Sequence, residues 1–447
     1  MSALGRSQAL IAQRAARSAK GGPVTALAAA GVWRGGWAQG LTYGALGLPL
    51  AFVALPLYVV LPNHYAVEFG IPLATLGLLL LGVRLLDAAV DPFIGRWLDR
   101  LYTGPVARVL GVAVVAAILL ALGFRGLFFP PVQGTQALLL WCAALLGLTY
   151  LSYSVLTVLH QAWGARLGGD EGQRTRIVSW REGLALAGVL VASVLPALAG
   201  LSVATFVFAL TLAAGVALLW RSPRPCSGSA ATVMPGLTQP LGTRPFRLLL
   251  VIYLVNGVAS AVPATLVLFF IRDRLQAQAW EPLFLASYFA AGALSMPLWV
   301  RGVARWGLAR TWLLGMAVAI VTFAWAALLG AGDVAAYVVV CVASGVALGA
   351  DLTLPGAMLA GVIQRAGHAG RLEGAYFGWW NFATKLNLAA AAGIALPLLG
   401  AYGYTPGSRS PQALDALTLA YCLLPCVLKL IAAMLLWTLW VRKETRS

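Results

Sequence analysis

Long apolar runs separated by short polar loops dominate the chain. A helix that crosses a membrane needs about 20 mostly apolar residues. By that measure the pattern predicts spans near 40–62, 73–95, 107–129, 136–160, 179–199 and 201–220. A second set follows near 246–271, 283–300, 311–330, 334–360, 375–400 and 415–440. The stretch from Arg221 to Arg247 breaks the series after the sixth run. It is rich in Pro, Ser, Gly and Thr and reads as a flexible linker. The expected fold is therefore an all-α membrane protein with two six-helix halves. It divides into a basic tail (1–38), an N-terminal half (39–220), a linker (221–245), a C-terminal half (246–441) and a short tail (442–447).

Composition agrees with this pattern. Apolar residues make up 61% of the chain and charged residues only 10%, whereas a soluble domain carries roughly 25% charged residues. A lipid-facing surface accommodates such a sequence. The net charge of +17 raises the question of a nucleic-acid partner, but the arginines sit in short clusters between apolar runs. The expected surroundings are a lipid bilayer, with no nucleic acid. If the N-terminus is cytoplasmic, 24 of the 31 Lys and Arg residues fall on the cytoplasmic side and 4 on the other; Arg84, Lys385 and Lys429 fall inside spans. That asymmetry predicts cytoplasmic N- and C-termini in the cell inner membrane. The first stretch carries Arg6, Arg14, Arg17, Lys20 and Arg34 without the apolar core of a signal peptide. It is expected to be a cytoplasmic tail, either helical on the membrane surface or disordered.

Five scattered cysteines and three histidines give no metal-ligand spacing, so no metal and no cofactor are expected. No nucleophile–base pair stands out, and an enzyme is not expected. A monomer is.

The charged residues inside spans carry the chemistry. In the second run Arg84, Asp87 and Asp91 are spaced i, i+3 and i+7. At 100° per residue they share roughly a 60° arc of one helix face. An intramembrane Arg or Asp costs about 2.5–3.5 kcal/mol, so this face must meet water or opposite charge. Lys385 stands about ten residues into the eleventh run and needs a counter-charge; Asp87 and Asp91 are the obvious candidates. Pro92 follows Asp91 and removes one helix hydrogen bond. Asp351, with Pro355 after it, faces either a cavity or a helix kink. Arg96, Asp99 and Arg100 on the following inner loop, with Glu171, Arg174 and Arg176 on the next, suit a cytoplasmic gate. Trp163, Trp180, Trp379, Trp380 and Asn381 could stack on or bond a substrate, although tryptophans are also usual at membrane interfaces. His160 is read as a satisfied helix-end histidine or a proton relay.

The segments RLLDAAVDP and GRWLDR resemble the second helix of the glycoside–pentoside–hexuronide:cation symporters, the melibiose permease-like family of the major facilitators. YSVLTVLHQAWGARLGGDEGQRTRIVSWRE resembles that family's fourth helix, loop and fifth-helix start. GADLTLPGAML and GRLEGAYFGWWNFATKL resemble its tenth and eleventh helices. The resemblance covers nearly the whole chain after the tail and implies the twelve-helix major facilitator fold. It also implies that Asp87 and Asp91 bind a coupling cation, that Lys385 lies beside them, and that Arg181 belongs to the substrate neighbourhood. The chain departs from the family at Ala51 and Thr157, where sugar-transporting members carry aspartates, at Leu159–His160, and at Gly361 and Gln364. Carboxylates grip sugar hydroxyls as paired acceptors, so the cation site carries over better than the sugar site does.

Together these readings lead to a secondary active transporter that couples a small organic solute, a sugar or glycoside, to proton or sodium entry by alternating access. No GxxxxGK[ST] motif is present to bind ATP. The cation site is expected at Asp87, Asp91 and Ser154, with Arg84 and Lys385 as charge partners, and the substrate site at Thr157, Arg181, Trp380 and Asn381. The short oxygen shell, with Val90 before Asp91, leans toward the proton. A lysophospholipid or other amphiphile is the alternative substrate, and an integral-membrane enzyme a remote one.

Overall fold

The computed structural model describes residues 33–226 and 236–442. The readings of the tail before Trp33, of the central part of the linker and of the last five residues lie outside the described residues.

Among the described residues, eleven helices are long and apolar enough to cross a membrane: α1 (Trp37–Leu55), α3 (Val106–Phe128), α4 (Thr135–Arg166), α5 (Glu171–Pro196), α6 (Leu198–Arg221), α7 (Arg244–Arg274), α8 (Gln278–Trp306), α9 (Leu308–Ala326), α10 (Val334–Arg365), α11 (Glu373–Ala401) and α12 (Pro411–Val441). The remaining long helix, α2 (Leu73–Tyr102), has 30 residues and is about 45 Å long. Its six charged residues set it apart from the others. The expected twelve helices are thus all in place. The first run is longer than predicted, because helix continues beyond α1 through a π turn at Pro56–Val60 into Leu61–Phe69.

Local chemistry sets several of the ends. Asp170 caps α5 by accepting from the Gln173 amide at 2.8 Å. Gly200, at φ +80° and ψ 167°, separates α5 from α6 in a conformation open to glycine. The linker begins at the end of α6 and includes a helical turn at Gln239–Gly242 before α7. The halves meet where α2 packs on α11, α4 on α11, and α5 on α8 and α10. Glycine permits the tightest of these contacts. A Cβ at Gly95 would lie 2.0 Å from the Gly374 carbonyl oxygen, and one at Gly378 would lie 2.5 Å from that of Asp91.

Candidate functional site

Lys385 reaches from α11 in one half to α2 and α4 in the other. Its Nζ lies 2.7 Å from Asp87 Oδ2 and 2.8 Å from Asp91 Oδ2. It also donates to Ser154 Oγ at 2.9 Å, and Ser154 in turn donates to Asp87 Oδ1 at 2.9 Å. The structure therefore brings together Asp87, Asp91, Ser154 and Lys385. Asp91 is fully buried, while the Lys385 side chain keeps 20% of its surface exposed. The site is thus enclosed on one side and open on the other. Two carboxylates share this one ammonium, and Asp91 Oδ1 is buried without a hydrogen-bond partner among the described residues. Acceptors left over at a buried carboxylate mark a place where a proton or small cation would be held. Arg84, the third charge of the predicted face, is exposed and lies beside Tyr150 of α4.

A second cluster ties the halves together at the end that carries the arginine-rich loops. Asp99 on α2 accepts from the amides of Gly374 and Ala375 at 2.7 and 2.8 Å. Those amides belong to the first turn of α11, whose own N-cap residue, Leu372, offers no side-chain bond. A carboxylate from the opposite half thus caps the helix and meets its positive end. Arg166 of α4 lies 2.9 Å from Asp99 and 3.0 Å from Glu373, with its side chain fully buried, and its guanidinium sits 4.2 Å over the Tyr102 ring. The same construction recurs at α9, where Glu171 Oε2 accepts from the Leu308 amide at 3.1 Å. Arg174 donates to Gln364 of α10 at 2.5 Å.

Of the residues expected at a gate, Asp99 and Arg174 make contacts between the halves. The charged partner of Asp99 is Arg166, not Arg96 or Arg100. Arg100 is exposed, and the buried Arg96 Nε has no hydrogen-bond partner among the described residues. The reason is geometric. Asp99 faces α11, and only the last turn of α4 brings a guanidinium to the same side.

The expected substrate residues are more dispersed. Arg181 is bound by its neighbour Glu182 at 2.6 Å and points toward Gly356 of α10. Trp380 stacks on Tyr253 of α7, with ring centroids 3.8 Å apart. Asn381 is buried one turn before Lys385, and the Thr157 hydroxyl is buried without a hydrogen-bond partner among the described residues. The other tryptophans have packing roles. Trp163 donates to the Pro223 carbonyl and Trp379 to that of Leu237, while Trp180 lies against Gly40. His160 is bonded at 2.7 Å to the Tyr43 carbonyl and holds α4 to α1.

Sequence reasoning passed over Arg166, Glu373 and Glu182 as site residues. A census of the carboxylates next to intramembrane arginines would have found Glu182.

The profile of the MFS/sugar transport protein family matches residues 41–443. The chain belongs to that family. It is a membrane transporter of the major facilitator superfamily, in accord with the resemblance to melibiose permease-like symporters. A search of the curated proteins found no match. Among solved structures, a bacterial homologue of the iron transporter ferroportin in an outward-facing state has a TM-score of 0.66 at 18% identity, over 89% of this chain and 98% of that one. The E. coli fucose:proton symporter has a TM-score of 0.64 at 11% identity, covering 88% and 98%. The human organic anion transporter MFSD10 has a TM-score of 0.61 at 17% identity, covering 89% and 98%. At these identities the likeness is one of fold.

Proposed function

We propose that this transporter is a cation-coupled symporter of a small organic solute, working by alternating access. The carrying observation is the Asp87–Asp91–Ser154–Lys385 cluster. It joins α2 and α4 of one half to α11 of the other, so its occupancy bears on how the halves sit. Each additional positive charge at the two carboxylates, proton or sodium, competes with Lys385 for them. Release of Lys385 loosens one tie between the halves. In this reading the coupling ion acts on the same helix pair, α2 and α11, that forms the gate.

The arginine-rich end is the cytoplasmic one, in keeping with the positive-inside rule. The Asp99 and Glu171 caps and the Arg174 bond then form the closed inner gate, and the structure represents a state closed toward the cytoplasm. The solute binds between the halves near Arg181, Glu182, Thr157 and Asn381. The family description supports a sugar or glycoside. The missing acids at Ala51 and Thr157 favour a solute other than a galactoside, and a lysophospholipid is the second reading.

The test is uptake into proteoliposomes of the purified protein, with a panel of monosaccharides, glycosides and lysophospholipids. Saturable uptake of a sugar or glycoside supports the first reading. Uptake of lysophospholipid alone replaces it with the second. Uptake of neither class overturns both.

A further inference from the structure

A second buried charge cluster lies wholly within the C-terminal half and takes no part in the function proposed above. Lys429 on α12 donates to Asp351 Oδ2 on α10 at 2.6 Å, and to Asn256 Oδ1 and Ser260 Oγ on α7 at 2.9 and 3.1 Å. An ammonium has three N–H donors, and each meets one oxygen here. Asp351 is equally saturated. Its Oδ2 accepts from Lys429 and from Ser260 at 3.0 Å; its Oδ1 accepts from Asn256 at 3.1 Å and from Trp312 of α9 at 3.0 Å. The Lys429 and Asp351 side chains are 6% and 12% exposed.

The contrast with the Lys385 cluster is informative. There, one ammonium serves two carboxylates and a buried acceptor, Asp91 Oδ1, is left over. Here, one ammonium meets one carboxylate, and no side-chain atom of the five residues is left without a partner. The first arrangement has room for another positive charge, and the second has none. Three oxygens from two helices converge on one point with the donor set that a monovalent cation would use, and the point is filled from a third helix.

We propose that Asp351, Asn256 and Ser260 form a monovalent-cation cage whose resident cation is the protein's own Lys429 ammonium. The class of ligand is a primary ammonium, or a metal ion of similar radius such as potassium. The tethered charge ties α7, α10 and α12 to one another without an ion from solution, and α9 joins through Trp312. Solution cations then act on the transporter at the Lys385 cluster and not here. Because Ser260 and Asn256 lie one turn apart on α7, they hold the same stretch of that helix against α10.

Vacating the cage makes it visible. In Lys429→Ala the side chain is lost, and the remaining space admits a small alkylammonium ion. The measurement is the thermal unfolding midpoint of the full-length protein in detergent. Salts of ammonium, methylammonium, propylammonium, potassium and tetramethylammonium are compared at equal ionic strength. The wild-type midpoint is expected to respond to none of them beyond the general salt effect. Lys429→Ala is expected to fall by about 5 °C or more, because a buried carboxylate loses its partner. Primary ammonium ions or potassium should restore most of that loss, and tetramethylammonium, whose four methyl groups hold its charge away from the oxygens, should not. Asp351→Asn/Lys429→Met removes both charges. It should accumulate better than Lys429→Ala and show no cation response, and it serves as the comparison if the single variant is recovered only when purified with propylammonium. Equal rescue by tetramethylammonium, no rescue by any ion, or an unshifted Lys429→Ala midpoint would each overturn the cage.

Discussion

Replacing Gly95 with alanine should open the arginine-rich end. In the closed arrangement a Cβ at position 95 lies 2.0 Å from the Gly374 carbonyl oxygen and 2.7 Å from its carbon. Carbon and oxygen settle at about 3.3 Å or more, so α2 and α11 must part locally by roughly 1.3 Å. The bonds from Gly374 and Ala375 to Asp99 are 2.7 and 2.8 Å. Stretched by that amount they pass about 4 Å, beyond hydrogen-bonding range. Each is a bond to a charged group, worth about 1.5–3 kcal/mol. Losing both costs the closed state about 3 kcal/mol or more, a shift of at least a hundredfold in its population relative to the open state. Spin labels at Thr103 and Arg371, exposed positions on loops of opposite halves, would report the distance across this end. The expected result is a longer mean distance in Gly95→Ala than in wild type. A distance distribution superimposable on wild type in a folded Gly95→Ala protein would refute the reasoning.

Other perturbations follow from the same contacts. Arg166→Ala strips the shared partner from the buried Asp99 and Glu373, and should lower the unfolding midpoint by several degrees; Glu373→Gln added to it should recover part of that loss. Lys385→Ala should reduce expression or transport, and adding Asp87→Asn should improve expression over the single variant, whereas strictly additive losses would show that the two residues are not partners. Cys226 is the exposed cysteine at the start of the linker; a membrane-impermeant thiol reagent should label it from the cytoplasmic side and not in intact cells.

The fold was legible in the sequence because hydrophobicity specifies it directly. Twelve apolar runs and one polar interruption become twelve helices in two sets, and only the helix ends shift. The Asp87–Asp91–Lys385 cluster was legible for a related reason. Charges inside an apolar helix are costly, so they had to find one another, and the i, i+4 spacing of the two aspartates fixed their common face. The Asp99–Arg166–Glu373 cluster was harder to read. Arg166 stands at a helix end, where an arginine is explained well enough by membrane topology. Its partners Asp99 and Glu373 lie 67 and 207 positions away, and nothing local points to them. The Leu372 and Gly307 positions did carry a weak signal, since helices without their own caps must be satisfied from elsewhere. Lys429 and Asp351 were each visible as intramembrane charges, but their pairing depends on α10 and α12 converging on α7, and periodicity does not encode that packing.

The central claim is that Asp87 and Asp91 couple cation entry to solute movement. It is tested by uptake of the identified solute into proteoliposomes, with an inward proton or sodium gradient imposed at fixed membrane potential. Wild type should accumulate the solute above the external concentration with one of the two gradients. The account leans to the proton, because the oxygen shell around the site is short for sodium. Asp91→Asn should equilibrate the solute across the membrane without accumulating it under either gradient. Gradient-driven accumulation that persists in Asp91→Asn and in Asp87→Asn, or a wild type that responds to neither gradient, would contradict the account.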